Sequence, residues 1–170
     1  MVRATRKSET PLAIGFRVFE NDTLLTHNGK LHVRYKDGTF IELSDESAIR
    51  AERIRYRYDR HDEIVFRFLR GVLRVVSPKQ EATKFYTVKT SHATAQVSAN
   101  SEFFLLQPHE DRDLTVGVLK GKVELMSEVT NNFIEVTAGT AAVVKLSGLV
   151  SSVGSFRASQ VQHLRDRTRL

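Results

Sequence analysis

Apolar and polar residues alternate with a period of two along much of this chain. Lys30-Leu31-His32-Val33-Arg34-Tyr35 and Arg53-Ile54-Arg55-Tyr56-Arg57-Tyr58 alternate strictly, and Glu63-Ile64-Val65-Phe66-Arg67-Phe68 resumes the pattern. That period sends successive side chains to opposite faces of a strand, so it predicts half-buried β-strands. Further short strands are expected over residues 72–76, 85–89, 93–97, 103–106, 114–119, 122–126, 133–136 and 141–146. Asp37-Gly38 joins two β-rich runs, a strong short-range signal for a hairpin. Pro78 and Pro108 fall in the breaks, where a missing N–H costs nothing. Helical spacing is absent before residue 155. Phe156, Ala158, Val161 and Leu164 then fall loosely on one helix face, and Arg165, Arg167 and Arg169 suit its C-terminus. This tail reads as a short docking helix or as disordered chain.

One pattern repeats. Phe68-Leu69-Arg70-Gly71-Val72-Leu73-Arg74-Val75 is echoed fifty residues later by Val118-Leu119-Lys120-Gly121-Lys122-Val123-Glu124-Leu125. Shorter echoes start at Gly29 and Gly139. A glycine between two strands allows a tight corner at positive φ. Gly38, Gly71, Gly121 and Gly139 are therefore read as corner residues. The expected fold is all-β, a β-solenoid-like twisted roll of short strands with glycine corners, with a β-sandwich or jelly roll as the alternative.

Composition narrows the function classes. No cysteine is present, which excludes disulfides, cysteine zinc sites and thiol catalysis. The longest apolar runs are too short to span a bilayer as a helix. The basic start, Met1-Val2-Arg3-Ala4-Thr5-Arg6-Lys7-Ser8, is not followed by the apolar stretch of a signal peptide. The formal net charge of +6 sits entirely in the first 90 residues, which carry 18 basic and 12 acidic side chains. An electrostatic partner would therefore meet the N-terminal half.

The motifs, taken in order, resemble those of the FecR domain. This is the periplasmic module of FecR-type sigma-factor regulators and of other bacterial envelope proteins. The matching pieces begin with Tyr35-Lys36-Asp37-Gly38-Thr39-Phe40-Ile41-Glu42-Leu43-Ser44 and Leu69-Arg70-Gly71-Val72-Leu73-Arg74-Val75. Thr90-Ser91-His92-Ala93-Thr94-Ala95-Gln96-Val97 and Asn100-Ser101-Glu102-Phe103 follow. Leu114-Thr115-Val116-Gly117-Val118-Leu119-Lys120-Gly121-Lys122-Val123 and Thr137-Ala138-Gly139 complete the series. The resemblance implies a domain over residues 14–150, with an N-terminal tail at 1–13 and a C-terminal tail or short helix at 151–170. It also implies the scaffold rather than the signalling role, because no anti-sigma helical segment, membrane helix or receptor-contacting domain is recognised here. The chain departs from the family where an R-G-T step is usual: Ser98-Ala99 precede Asn100-Ser101. Asn tolerates positive φ, so the swap preserves a fold more readily than a binding surface.

The basic row Arg50, Arg53, Arg55, Arg57 and Arg60 is the candidate partner-binding site. On a strand, Arg53, Arg55 and Arg57 face one way and Ile54, Tyr56 and Tyr58 the other. A guanidinium row suits an acidic protein partner, or else forms a solvated face paired with neighbouring glutamates. Nucleic acid is the weaker alternative, for want of aromatic side chains free to stack. His27, His32, His61, His92, His109 and His163 form no metal motif, although His92 could titrate if half-buried. No nucleophile elbow, P-loop or dinucleotide fingerprint occurs. The expectation is a protein without catalytic residues, cofactor, metal or small-molecule substrate. It would be a protein-binding β scaffold of an envelope or appendage assembly, with other proteins or its own copies as partners in a ring or stack. The competing expectation is a periplasmic signal-sensing or ligand-binding domain of a regulatory system. Location is expected in the periplasm or envelope if a leader was removed, and otherwise in the cytoplasm.

Overall fold

The structure, a computed structural model, describes residues 2–5, 8–35, 38–55, 63–79, 85–155 and 158–168. The first strands are β1 (Val2–Thr5), β2 (Ser8–Pro11), β3 (Thr23–Leu25), β4 (Leu31–Arg34), β5 (Phe40–Leu43), β6 (Ala48–Arg55) and β7 (Glu63–Val76). They continue as β8 (Phe85–Lys89), β9 (Ala93–Val97), β10 (Glu102–Gln107), β11 (Leu114–Lys120) and β12 (Lys122–Ser127). Last come β13 (Phe133–Thr137), β14 (Ala141–Val144), β15 (Val150–Val153) and a single described helix, α1 (Ala158–Thr168).

The strands form two layers that share β7. One layer runs β2-β1-β3-β6-β7-β8-β9-β12-β13, and the other β4-β5-β7-β10-β11-β14-β15. The expected hairpin is present: β4 pairs with β5, Leu31 opposite Leu43, and Gly38 lies in its turn at φ 88°. Asp37 lies outside the described residues. Residues 1–13, read as a tail, supply β1 and β2, and β1 pairs onto β3 with Val2 opposite Leu25. At the other end the tail forms α1.

The all-β class holds, but the solenoid-like winding does not describe these ladders. A β-solenoid stacks its coils through parallel pairing. Here every described ladder is antiparallel except that between β7 and β8. The result is a nearly closed, barrel-like sheet. Its interior is filled by Phe66, Phe68, Leu73, Phe103, Leu105 and Leu125 among others, all but inaccessible to solvent. Tyr35 meets Phe66 edge-on at 5.7 Å between ring centres.

Both layers are joined through the repeated glycine. In β7 the inward residues are Ile64, Phe66 and Phe68 before Gly71, and Leu73 and Val75 after it. Fifty residues on, Leu114, Val116 and Val118 point inward before Gly121, and Val123 and Leu125 after it. Inward positions switch from even to odd at each corner, as the chain passes from one layer to the other. Gly71 has φ 96° and Gly121 φ 73°, the left-handed region that glycine enters without a Cβ clash.

A serine seals each corner. Ser47 Oγ accepts a hydrogen bond from Val72 N at 3.0 Å, and Ser101 Oγ accepts one from Lys122 N at 3.3 Å. These serines are held in turn: Thr26 Oγ1 accepts from Ser47 N at 2.9 Å, and Ser77 Oγ from Ser101 N at 2.9 Å. Each serine follows a residue at positive φ, Glu46 at 49° and Asn100 at 57°. Asn100 takes this positive φ as an Asn can.

The serines leave no room for a side chain at the corners. A Cβ on Gly71 would lie 2.1 Å from Ser47 Oγ and 2.6 Å from Ser47 Cα. On Gly121 it would lie 2.3 Å from Ser101 Oγ and 3.0 Å from Ser101 Cα. Gly139, at φ 83°, has nothing within 4 Å of the same position. We therefore expect Gly71→Ala to lose about 3 kcal/mol or more, from the positive φ and the collision together. Gly139→Ala should lose only about 1 kcal/mol. Ser47→Ala should not rescue Gly71→Ala, since the new methyl group would still collide with the backbone of residue 47. Urea unfolding of the four proteins measures this, and equal losses at Gly71 and Gly139 would refute it.

Candidate functional site

The segment between β2 and β3 carries three exposed large apolar residues, among them Ile14, the most exposed of the described residues' large apolar side chains. Its base is tied to β6. Asn21 N donates to Ala51 O at 2.6 Å, Ala51 N to Asp22 O at 2.9 Å, and Ile54 N to Glu20 Oε1 at 2.9 Å. Asp22 Oδ2 also accepts from Phe19 N at 2.8 Å, closing the turn. Beyond this base, Ile14 projects fully into solvent, and Phe16 and Phe19 are about half exposed. Three such residues on one short loop are more than scattered surface apolars.

A cavity of about 700 Å³ lies between this loop and β4. Its floor is the end of the core: Leu24, Leu31 and Tyr35. Val18, Val33 and Ile54 form its sides, and Arg17, Lys30 and Arg34 also line it. An apolar floor with cationic side chains around it suits an occupant that is apolar in part and negatively charged in part.

The described arginines of the row do not line this cavity; of their strand only Ile54 does. Arg53 and Arg55 are exposed and flank Ile54, which lines it. The register shifts between Ala51 and Arg53, and after the shift Arg53 stands opposite Val65 and Arg55 opposite Glu63. Arg53 is ion-paired with Glu63, and Arg67 with Glu52. Arg50 is half-buried, with Nη2 3.1 Å from Asn21 Oδ1. Arg57, Arg60, Tyr56 and Tyr58 lie outside the described residues.

A second cluster lies on the outer face of the other layer. Strand register sets His32, Glu42, Arg74 and Phe104 side by side across β4, β5, β7 and β10. His32 Nε2 is 3.5 Å from Glu42 Oε1, and Glu42 pairs with Arg74. Arg74 Nη2 lies 2.9 Å from Glu102 Oε1, and its guanidinium sits 5.9 Å from the Phe104 ring centre. Arg165 of α1 completes the chain, its Nε and Nη2 at 3.2 and 3.3 Å from the two oxygens of Glu102. Burial opposes charge at Glu102, but hydrogen bonds from Arg165 and Arg74 outweigh it and hold the carboxyl below its ordinary range. Burial likewise opposes charge at Arg74, and its bonds to Glu42 and Glu102 more than restore it.

Neither cluster was legible as a site. The loop carries Ile14, Phe16 and Phe19 without alternation, a signal of apolar chain outside a strand, but nothing local says that it stays exposed. The ladder needs the strand register, which brings Arg74 beside Glu42, 32 positions before it, and Glu102, 28 after it. Elsewhere, His92 is buried rather than half-buried, its Nδ1 bonded to Ser91 Oγ. Among the described residues no group of three His, Asp or Glu is placed to hold a metal ion.

Glu102 gives a pH test. Its folded pKa lies below the unfolded value of about 4.3, so its contribution is fully present above that pH. The contribution is lost as pH falls through the folded pKa. Glu102→Gln should therefore flatten the fall in stability below about pH 4 and speed amide exchange in α1 at pH 7. An unaltered acid limb with unchanged α1 exchange would show that the cluster holds nothing.

Comparison with known proteins fits this architecture. Two crystal structures of a candidate anti-sigma factor from Parabacteroides distasonis superpose with TM-scores of 0.67 and 0.65, at 18% and 19% identity. The matches cover 84% and 82% of this chain but only 64% and 62% of those proteins, so this chain spans less than two thirds of their length. At such identity the likeness speaks for the fold. No curated protein matches the sequence. The model of the FecR protein family matches residues 22–124, from β3 into β12 and across both glycine corners. The chain belongs to the FecR protein family.

Proposed function

We propose that this chain is the signal-receiving domain of a bacterial regulatory system at the cell envelope, working through contact with another protein. The expectation of a structural scaffold in an envelope or appendage assembly is corrected by the family match, together with neighbours described as anti-sigma factors. Those findings favour regulation, and nothing in them supports rings, stacks or self-association. Periplasmic location belongs to this proposal. Among the described residues no helix is long and apolar enough to cross a membrane.

One observation carries the contact reading: Ile14, Phe16 and Phe19 are held in solvent beside an apolar cavity lined in part by Arg17, Lys30 and Arg34. A domain that met no partner there would gain nothing from the exposure. The occupant fitted by this surface is an acidic protein segment with apolar anchors, and Arg53 and Arg55, on the face of β6 opposite Ile54, are a separate contact candidate. Residues this exposed can be changed without unfolding the domain, because surface positions usually shift stability by less than about 0.5 kcal/mol.

The test is transcriptional. Deleting the gene in its host should change expression of a defined gene set. Chains carrying Ile14→Asp with Phe16→Asp, or Arg53→Ser with Arg55→Ser and Arg57→Ser, should reproduce the deletion at normal protein level and melting temperature. If deletion leaves transcription untouched, the regulatory reading fails. If deletion acts but the substituted chains behave as the parent, regulation stands and the contact lies elsewhere.

A further inference from the structure

The seat of α1 is badly filled. Its floor is the outer face of β10 and β11, where Phe104, Leu106, Thr115 and Gly117 present an apolar surface. Its roof is the helix, through Ser159, Gln160, His163 and Leu164. Ser159, Gln160 and His163 are exposed at the edge of this groove, Leu164 is half-buried, and about 360 Å³ stays open to solvent beside the helix. Close packing is the norm for a helix committed to a sheet, and a gap of this size forfeits contacts on both sides.

Besides half-buried Val161 and Leu164, the helix is held at its periphery by polar contacts. Arg165 holds Glu102, Arg167 Nη2 lies 3.9 Å from Asp45 Oδ1, and Lys30 Nζ donates to Asp166 O. Arg167 and Asp45 are both largely exposed, and exposed pairs hold little. The groove is acidic at its edge, through Glu102 and Asp45, and apolar in its middle.

We propose that this groove is a docking site for a helix of a partner protein, with large apolar side chains on one face and Arg or Lys a turn later, and that α1 occupies it as a displaceable substitute. The charge of the rim selects the basic turn, and the open volume selects side chains larger than those of Ser159, Gln160 and His163. The site lies apart from the loop cavity and does not depend on the contact proposed there. Binding and α1 docking compete for one surface, so whatever loosens α1 tightens the partner.

The probe is a fluorescein-labelled peptide of residues 155–170 carrying S159L, Q160L and H163L, titrated by anisotropy into the full chain. It should bind the parent. Binding should tighten at least fivefold in the chain carrying R165E and R167E, whose own helix is loosened. It should weaken at least tenfold in the chain carrying E102R, and α1 amides of the parent should exchange faster when the peptide is bound. An absence of binding to both the parent and the loosened chain overturns the proposal, as does equal binding to all three chains. Concentration-dependent dimers of the parent that the peptide does not dissolve would assign the groove to a second copy and overturn it too. Leu106→Asp, with a melting temperature near that of the parent, separates loss of the groove from loss of the fold: it too should abolish peptide binding.

Discussion

Two serine hydroxyls pressed against two glycines hold this fold together. At Gly71 and Gly121 one continuous run of chain leaves one layer and enters the other, and the inward side-chain parity changes there. A change of parity breaks the regular ladder, so backbone groups at the corner lose cross-strand partners. Ser47 and Ser101 answer for Val72 N and Lys122 N, and Thr26 and Ser77 answer for the serines. An unmet buried N–H costs about 1–3 kcal/mol, a large share of a domain's stability. The serine must therefore come close, and the closeness of its hydroxyl and its backbone together forbids a Cβ on the glycine.

This arrangement explains which parts of the fold could be read from sequence. Period two and the Asp-Gly turn are local, and the strands and the β4–β5 hairpin follow from them. The fifty-residue echo around Gly71 and Gly121 was also visible, and it marks a real equivalence of corners. What the echo means was not visible. A glycine corner in a solenoid and a glycine corner between two antiparallel layers look alike in one dimension, because the difference lies in what the next strand pairs with. Ser47 and Ser101 precede their glycines by 24 and 20 residues, so no local pattern links each lock to its corner. The first strands lie outside this reading for a similar reason: β1 and β2 gain their order from pairing with β3 and with each other, not from alternation of their own.

The two candidate surfaces were hidden by different physics. Alternation identifies the face of a strand but not its neighbour, so Glu42, Arg74 and Glu102 read as three unrelated outward charges. Register turns them into a ladder of alternating sign beneath α1. In such a ladder each charge is shared by two of the other sign, which is how burial is tolerated around Arg74. The arginine row shows the opposite limit. Its alternation was plain in the sequence, and Arg53 and Arg55 do lie outward with Ile54 between them. Alternation alone says nothing of the cavity beside Ile54, which exists only because Glu20, Asn21 and Asp22 bring the preceding loop against β6.

Strand β4 stands between the two surfaces and belongs to both. Lys30, just before it, lines the loop cavity and donates to Asp166 O of α1. His32 lines the same cavity and reaches Glu42, the first carboxylate of the ladder. An occupant of the cavity that engages Lys30 or His32 therefore touches groups that hold the helix or its supporting charges. Contiguity of this kind is not yet coupling, because coupling requires an element with two arrangements that both sites bias differently. On the proposal that α1 is displaceable, α1 would be that element, since the corners fix the layers while the helix is held largely at its periphery. An acidic occupant would compete with Glu42 for His32 and with the Asp166 carbonyl for Lys30, and both effects weaken the docked state. On that proposal the sign follows from charge: an anion in the cavity would favour release of α1, and a docked α1 would disfavour the anion by the same factor.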